Sequence, residues 1–251
     1  MIYMPKNSRR FVFRPFSLLY FGLLLLFLIV VFPILFVAFR NVFIEGLGLP
    51  PEVFGSVLFL SLIGSYINLP LTTIETKVPI YTYKKVRTFF VTWRIPTVEM
   101  GVKKTYVTIN MGGGVVPILI SGYLVLWAIP RCSIDLVQSY GKLLTVLVIV
   151  AYTTYRSSRI VKGLGIATPM FGPPLMTAFS TFAVDVFSPV SCPAQIAYVG
   201  GTIGTLIGAD LFNLPKLPEL GAPVVSIGGA GTFDGIYLTG IISVLLVLLL
   251  G

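Results

Sequence analysis

Long apolar runs alternate along this chain with short polar segments that carry most of its charge. A helix needs about 20 mostly apolar residues to cross a bilayer core. The first such run, 17–39, follows a basic stretch holding Lys6, Arg9, Arg10 and Arg14. It is too long for the apolar region of a signal peptide and reads as a retained span. Further spans are predicted over 53–71, 106–129 and 143–155, then a fifth after the proline- and glycine-rich start at 163–174. A sixth covers 194–212, and a seventh runs from the PVVSIGGAGTFDG segment to the last residues.

One polar segment is long. Residues 72–105 hold Lys77, Lys84, Lys85, Arg87, Arg94, Lys103 and Lys104 among β-branched and aromatic residues. That alternation predicts one or two strands, with a hairpin break at Lys84–Lys85. The expected fold is an all-α polytopic membrane protein of about seven transmembrane helices, some broken at Gly/Pro clusters. A small β element lies at its cytoplasmic face, and 1–251 forms one integral membrane domain. Within the sixth span, GGTIGTLIG predicts a face of small residues for close helix packing.

Two segments share a plan. TYVTIN, MGGG and VVPILISGYLVLW follow one another as PVVSI, GGAG and TFDGIYLTGIISVLL do. Each is an extended run, a glycine cluster and a helix. The extended runs could pair as strands on the cytoplasmic side, and the glycine clusters, Gly112–Gly114 and Gly228–Gly231, are expected to be non-helical and to face each other or a shared cavity. The plainer alternative is that the glycines only allow close helix packing.

Composition agrees with the membrane class: 56% of residues are hydrophobic and 11% charged, and mean hydropathy is +0.95. A soluble domain carries about 25% charged residues. The net charge of +9 reflects basic residues in loops, which the positive-inside rule and anionic headgroups explain without nucleic acid. Of the 18 Lys and Arg, all but Arg40, Arg131 and Lys142 fall on the side of the N-terminus. The N-terminus is therefore expected in the cytoplasm and the C-terminus outside. Histidine is absent and the cysteines number two, Cys132 and Cys192, so no metal site and no cofactor are expected. Both cysteines fall on the outer side, where a disulfide between them is an open option.

That leaves carboxylates as the candidate chemistry. Asp210 ends the sixth span and Asp234 opens the seventh, with Thr232 expected to cap it. A carboxylate in apolar sequence is costly to ionise unless paired, hydrated or bound to a cation. Two carboxylates brought close share a proton, an arrangement suited to activating water or binding a cation. Asp210 and Asp234 are therefore the candidate catalytic pair. Asn110, Gly113, Gly229, Gly231 and Thr232 are the candidate substrate-binding residues around the two glycine clusters. The structural alternative makes Asp234 a helix N-terminal charge and Asp210 a hydrogen-bonding group at a helix end.

The blocks INMGGGVVPILIS, GLGIATPMFGPPLMTA, AYVGGTIGTLIGADLFNL and SIGGAGTFDGIYLTG resemble those of an uncharacterised membrane family of archaea and bacteria, over about 67–250. That resemblance implies a prokaryotic membrane protein and no particular activity. A weaker resemblance is to intramembrane aspartyl proteases of the presenilin and prepilin-peptidase type, which use two aspartates on adjacent spans. It implies that Asp210 and Asp234 would be the catalytic pair. Here GGAGTFD replaces their Gly-x-Gly-Asp motif, and PMFGPPL precedes the aspartates where presenilins carry proline after them. Two functions stay open: an aspartate-dyad hydrolase acting on membrane-embedded peptide, and a transporter or channel moving H⁺ or Na⁺ through the same residues. A scaffold without catalysis is the third. Membrane lipids are the expected partners in each case.

Overall fold

The computed structural model describes residues 22–23, 25–88, 91–161, 165–189, 191–216, 223–229 and 234–250. The chain divides into two compact units, 1–39 and 40–251. Helix α1 covers 27–46 and has a π-helical turn at each end, Phe27–Val31 and Val42–Gly46. No residue of its central segment, Phe32–Asn41, is buried. The first predicted span, 17–39, lies within the first unit, and its opening residues fall outside the described ones.

In the second unit, α2 (Pro51–Gly64) leads into a hairpin of β1 (Asn68–Thr88) and β2 (Val91–Asn110). Then come α3 (Met111–Cys132) and α4 (Leu136–Ser157), a small antiparallel pair of β3 (Arg159–Val161) and β4 (Gly165–Ala167), and α5 (Gly172–Phe187). Helix α6 covers 193–216, passing from α-helix through a π-helical turn at Leu206–Asp210 to a tight 3-10 end at Leu211–Lys216. Strand β5 (Val224–Ile227) and α7 (Gly235–Leu250) complete the described chain.

The fold is not all-α. Among the described residues, five strands form two sheets, and β1 and β2 pair in continuous antiparallel register from Asn68↔Asn110 to Thr88↔Val91, with one irregularity at Pro70/Thr72. Nor are seven spans supported. Among the described residues, three helices are long and apolar enough to cross a membrane: Ile29–Gly46, Met111–Cys132 and Leu136–Ser157. Pro51–Gly64 and Gly235–Leu250 are apolar but shorter.

The overcount has a local cause. The apolar run at 53–71 stops being helix at Gly64, and its tail from Asn68 enters β1. The run at 106–129 begins as the last residues of β2. The second holds Tyr106, Val107, Thr108 and Ile109, β-branched and aromatic residues whose side chains suit a strand as well as a span. The polar stretch before 143 is itself helical: Asp135 caps α4, its Oδ1 accepting from the N–H groups of Val137 (2.9 Å) and Gln138 (3.2 Å). Lys84 and Lys85 sit inside β1, which stays paired with β2 as far as Thr88↔Val91.

The helices carry apolar side chains outside as well as inside. On α4, Leu143, Val146 and Val150 are buried, while Leu144, Val148 and Tyr152 point outward, exposed. Apolar residues on both faces suit a helix solvated by lipid. The chain is a membrane protein on this ground and on its three long apolar helices.

The interior is lined with small polar residues bonded to their own helices. The Thr177 hydroxyl donates to the Pro173 carbonyl (2.7 Å), and that of Thr181 to the Thr177 carbonyl (2.9 Å). Ser243 donates to the Gly240 carbonyl at 3.0 Å. Helix α6 is the centre of this packing. Gly200, Gly204 and Gly208 make a ridge without side chains against α4. A Cβ on Gly200 would lie 2.7 Å from Val146 Cγ1, and one on Gly204 would lie 3.0 Å from the Leu147 carbonyl oxygen. At Gly208 the added atom would overlap the backbone of Ala151. Gly201, on another side of α6, meets Thr177 of α5 and Thr239 of α7. The small-residue face read from GGTIGTLIG is thus used on more than one side. A disulfide joins Cys132 at the end of α3 to Cys192 at the start of α6, with Cα atoms 6.0 Å apart.

Overpacking a tight interior costs about 1–3 kcal/mol. Gly204→Leu should lower the stability of the detergent-solubilised protein by that amount in thermal unfolding. Gly141→Leu, at a helical position where an added Cβ meets nothing within 4 Å, should leave it unchanged.

Candidate functional site

The two extended runs of the repeated plan do pair. Strands β2 and β5 lie parallel, in register Tyr106↔Val224 to Ile109↔Ile227. This brings the following glycine clusters into contact. Gly228 adopts a left-handed φ of +65°, and a Cβ on it would lie 2.5 Å from the Gly113 carbonyl carbon and from the Gly114 nitrogen. The clusters differ in conformation. Gly228 and Gly229 form a turn, but Gly112–Gly114 belong to a π-helical turn, Met111–Val115, that opens α3. The expectation that both clusters would be non-helical fails at the first. Its helix is fixed by contacts that bare glycine permits: an added Cβ on Gly112 would overlap the Ser61 carbonyl oxygen of α2.

Asn110 starts that turn. It is fully buried, and its Oδ1 accepts from the Gly113 N–H at 2.9 Å. Its Nδ2 donates to the Ser65 carbonyl (2.8 Å) and to Asn68 Oδ1 (3.2 Å), and Ser226 Oγ donates to the same Asn68 oxygen at 2.6 Å. One side chain thus caps α3 and ties the end of α2 to the base of the hairpin. Gly113 and Gly229 belong to this junction. Gly231 and Thr232 lie outside the described residues.

The aspartates lie together beyond it. Asp210 ends the π-helical turn of α6, and Asp234 precedes α7. Asp234 itself is the cap: its Oδ2 accepts from the Ile236 N–H at 3.0 Å, and its carbonyl accepts the first helical bond, from the Leu238 N–H, at 3.0 Å. Asp210 accepts from the Gly228 backbone N–H and is within electrostatic reach of Asp234. Both carboxylates line one cavity of about 260 Å³, walled by Ile166, Ala167, Thr168, Thr205, Ala209, Gly235 and Ile236. Asn110, Gly113 and Gly229 do not line it.

Thr205 was missed in the sequence reading. It is 1% exposed, lines the cavity, and its hydroxyl has no hydrogen-bond partner. A buried hydroxyl without a partner costs free energy unless water or a ligand satisfies it. The signal was a hydroxyl one helical turn and a residue before Asp210, in a span already marked for its small residues. A second cavity, of about 450 Å³, adjoins the first across Ala167 and Thr168. It is lined by Arg156, Ser157, Arg159, Val161 and Pro169 as well. No cluster of three metal-ligating side chains occurs among the described residues.

A helix bundle packed on bare glycine ridges, closed at one end by a sheet and an acidic cavity, defines a membrane protein with a built polar site. The chain belongs to a family of proteins of unknown function, DUF1614, which matches residues 62–246 and so takes in the hairpin, the glycine junction and both aspartates. No curated protein and no solved structure matches it.

A cap worth about 1 kcal/mol and two further, partly buried bonds depend on Asn110. Asn110→Ala should therefore lower stability by about 2–3 kcal/mol, read as a lower midpoint in chemical unfolding. Asn110→Asp keeps the cap oxygen but turns a buried carboxylate oxygen on the Ser65 carbonyl and Asn68 Oδ1, and should destabilise at least as much.

Proposed function

We propose that this protein is a multi-pass membrane hydrolase in which Asp210 and Asp234 form a catalytic pair acting on membrane-embedded peptide. The observation that carries this reading is the single cavity lined by Asp210, Asp234 and Thr205, whose buried hydroxyl has no hydrogen-bond partner. One carboxylate takes a proton from a water held in the cavity. The other, protonated, polarises the scissile carbonyl and later gives its proton to the leaving amine. Asp234 at a helix N-terminus is the group better held as an anion, which makes it the base and Asp210 the acid. Thr205 orients the water.

The orientation follows from the ends of the bundle. Helix α3 runs from the hairpin base to Cys132, and its 22 residues span about 33 Å at 1.5 Å each. The disulfide therefore sits at the end of α3 opposite Asn110, and disulfides persist in oxidising compartments. Together with the lysine and arginine excess, this supports a cytoplasmic N-terminus, with the hairpin and the aspartate cavity on the cytoplasmic side and the C-terminus outside.

A second reading is H⁺ or Na⁺ movement through the same pair. It is favoured by the irregular backbone at the site: a π-helical turn on one side and a helix start on the other are where membrane proteins bind ions.

Asp210→Asn and Asp234→Asn separate the readings, because an amide keeps the shape and asparagine still caps a helix. Purified protein should cleave a transmembrane peptide in proteoliposomes, and each variant should lose that activity while unfolding at the parent temperature. Absence of cleavage with aspartate-dependent uptake of H⁺ or Na⁺ would assign the second reading.

Thr205→Val should slow peptide cleavage by about 100-fold, the cost of misplacing a reacting group by about 1 Å, without change in fold. An unchanged rate would remove Thr205 from the mechanism.

A further inference from the structure

The hairpin is out of proportion to the rest of the fold. Its paired strands extend for about 65 Å at roughly 3.3 Å per residue. Only Tyr106–Ile109, near the base of β2, gain a third strand. Beyond that the described hairpin has two strands, and an isolated two-stranded hairpin is marginal in water.

Its two faces differ. Cross-strand partners share a face, so the register puts Tyr81 with Val98, Tyr83 with Pro96, Pro79 with Met100, Lys85 with Arg94 and Arg87 with Thr92 on one side. On that side Tyr81 is 78% exposed, Met100 76% and Tyr83 70%. Lys85 and Arg94 oppose each other directly, a like-charge pair that is unfavourable without an anion nearby. The acid on that face, Glu75, lies near the base, bonded to Lys104 at 2.9 Å. That bond and the Glu75 charge hold Lys104 above the usual lysine range. Glu99 falls on the opposite face.

We propose that this face, Tyr81, Tyr83, Val98 and Met100 with Lys85, Arg87 and Arg94, docks on an anionic lipid surface. Tyrosine and aliphatic side chains enter the headgroup level while the cations meet lipid phosphates. Charge complementarity selects this occupant over a second copy of the chain, whose hairpin would bring the same cations. Strand addition is disfavoured too, since Pro79 and Pro96 interrupt the edges and lysines flank them. The membrane is adjacent, because β2 runs directly into α3.

The test uses the full chain in lipid nanodiscs. Cys132 and Cys192 are paired, so Tyr81→Cys supplies a single thiol for an environment-sensitive fluorophore. Val98→Cys reports the same face and Thr82→Cys the opposite one. In nanodiscs containing phosphatidylglycerol, the labels at 81 and 98 should shift to the blue and lose quenching by iodide, while that at 82 stays aqueous. Phosphatidylcholine alone, or Lys85→Glu, Arg87→Glu and Arg94→Glu together, should abolish the shift. Labels at 81 and 98 that remain aqueous in both lipids overturn the proposal. So does a shift independent of lipid charge and of the reversal, which would indicate a protein surface. A shift produced by added RNA but not by phosphatidylglycerol would assign the face to nucleic acid and overturn it equally.

Discussion

Helix α6 can lie among α4, α5 and α7 only where its own side chains are missing. In lipid there is no hydrophobic drive pressing helices together, so association rests on van der Waals contact and on hydrogen bonds between close backbones. Gly200, Gly204 and Gly208 supply that contact toward α4, and Gly201 supplies it toward α5 and α7. What the ridge fixes is the position of the next turn. From Leu206 the helix widens into the π-helical turn that contains Gly208 and ends at Asp210, so the acid is placed by the packing of the residues before it. Its partner is placed differently: Asp234 is held by the helix it caps.

Much of this was legible, for physical reasons that differ by element. The glycine face of α6 was readable because small residues at helical spacing have few other uses in an apolar run. The pairing of β2 with β5 was readable because the same strand–glycine–helix plan occurs twice. The number of spans was not, because Leu, Ile, Val and Tyr satisfy a bilayer and a strand alike. Leu69–Leu71 and Tyr106–Ile109 went to the sheet. The helical state of Met111–Val115 was hidden as well. Glycine is a poor helix former in isolation, and the contact with α2 that makes it necessary is tertiary.

The carboxylates show the same division. That both line one cavity depends on strand β5 and the Gly228 turn between the two helices, which residue type alone does not give, and the identity of the cap was not readable either. Thr232 was the natural candidate by residue type, yet the helix begins at Gly235 and the cap is Asp234. That gives one residue two roles, holding a helix and facing a cavity. Thr205 carried no sequence signal beyond its spacing from Asp210. It became a candidate once its hydroxyl was seen to be buried without a partner.

The turn at Gly228 bears on how this sequence can drift over generations. Two separate conditions close the position. Its left-handed φ disfavours every residue with a side chain except, to a degree, asparagine and aspartate. The backbone of Gly113 and Gly114 then leaves no room for any Cβ, those two residues included. A compensating change across the contact is not open either, since the opposing atoms are main chain and have nothing to shorten. Position 228 is thus frozen by geometry alone, whatever reaction the neighbouring aspartates perform. Its constancy among relatives would carry no information about catalysis, whereas variation at Thr205 would.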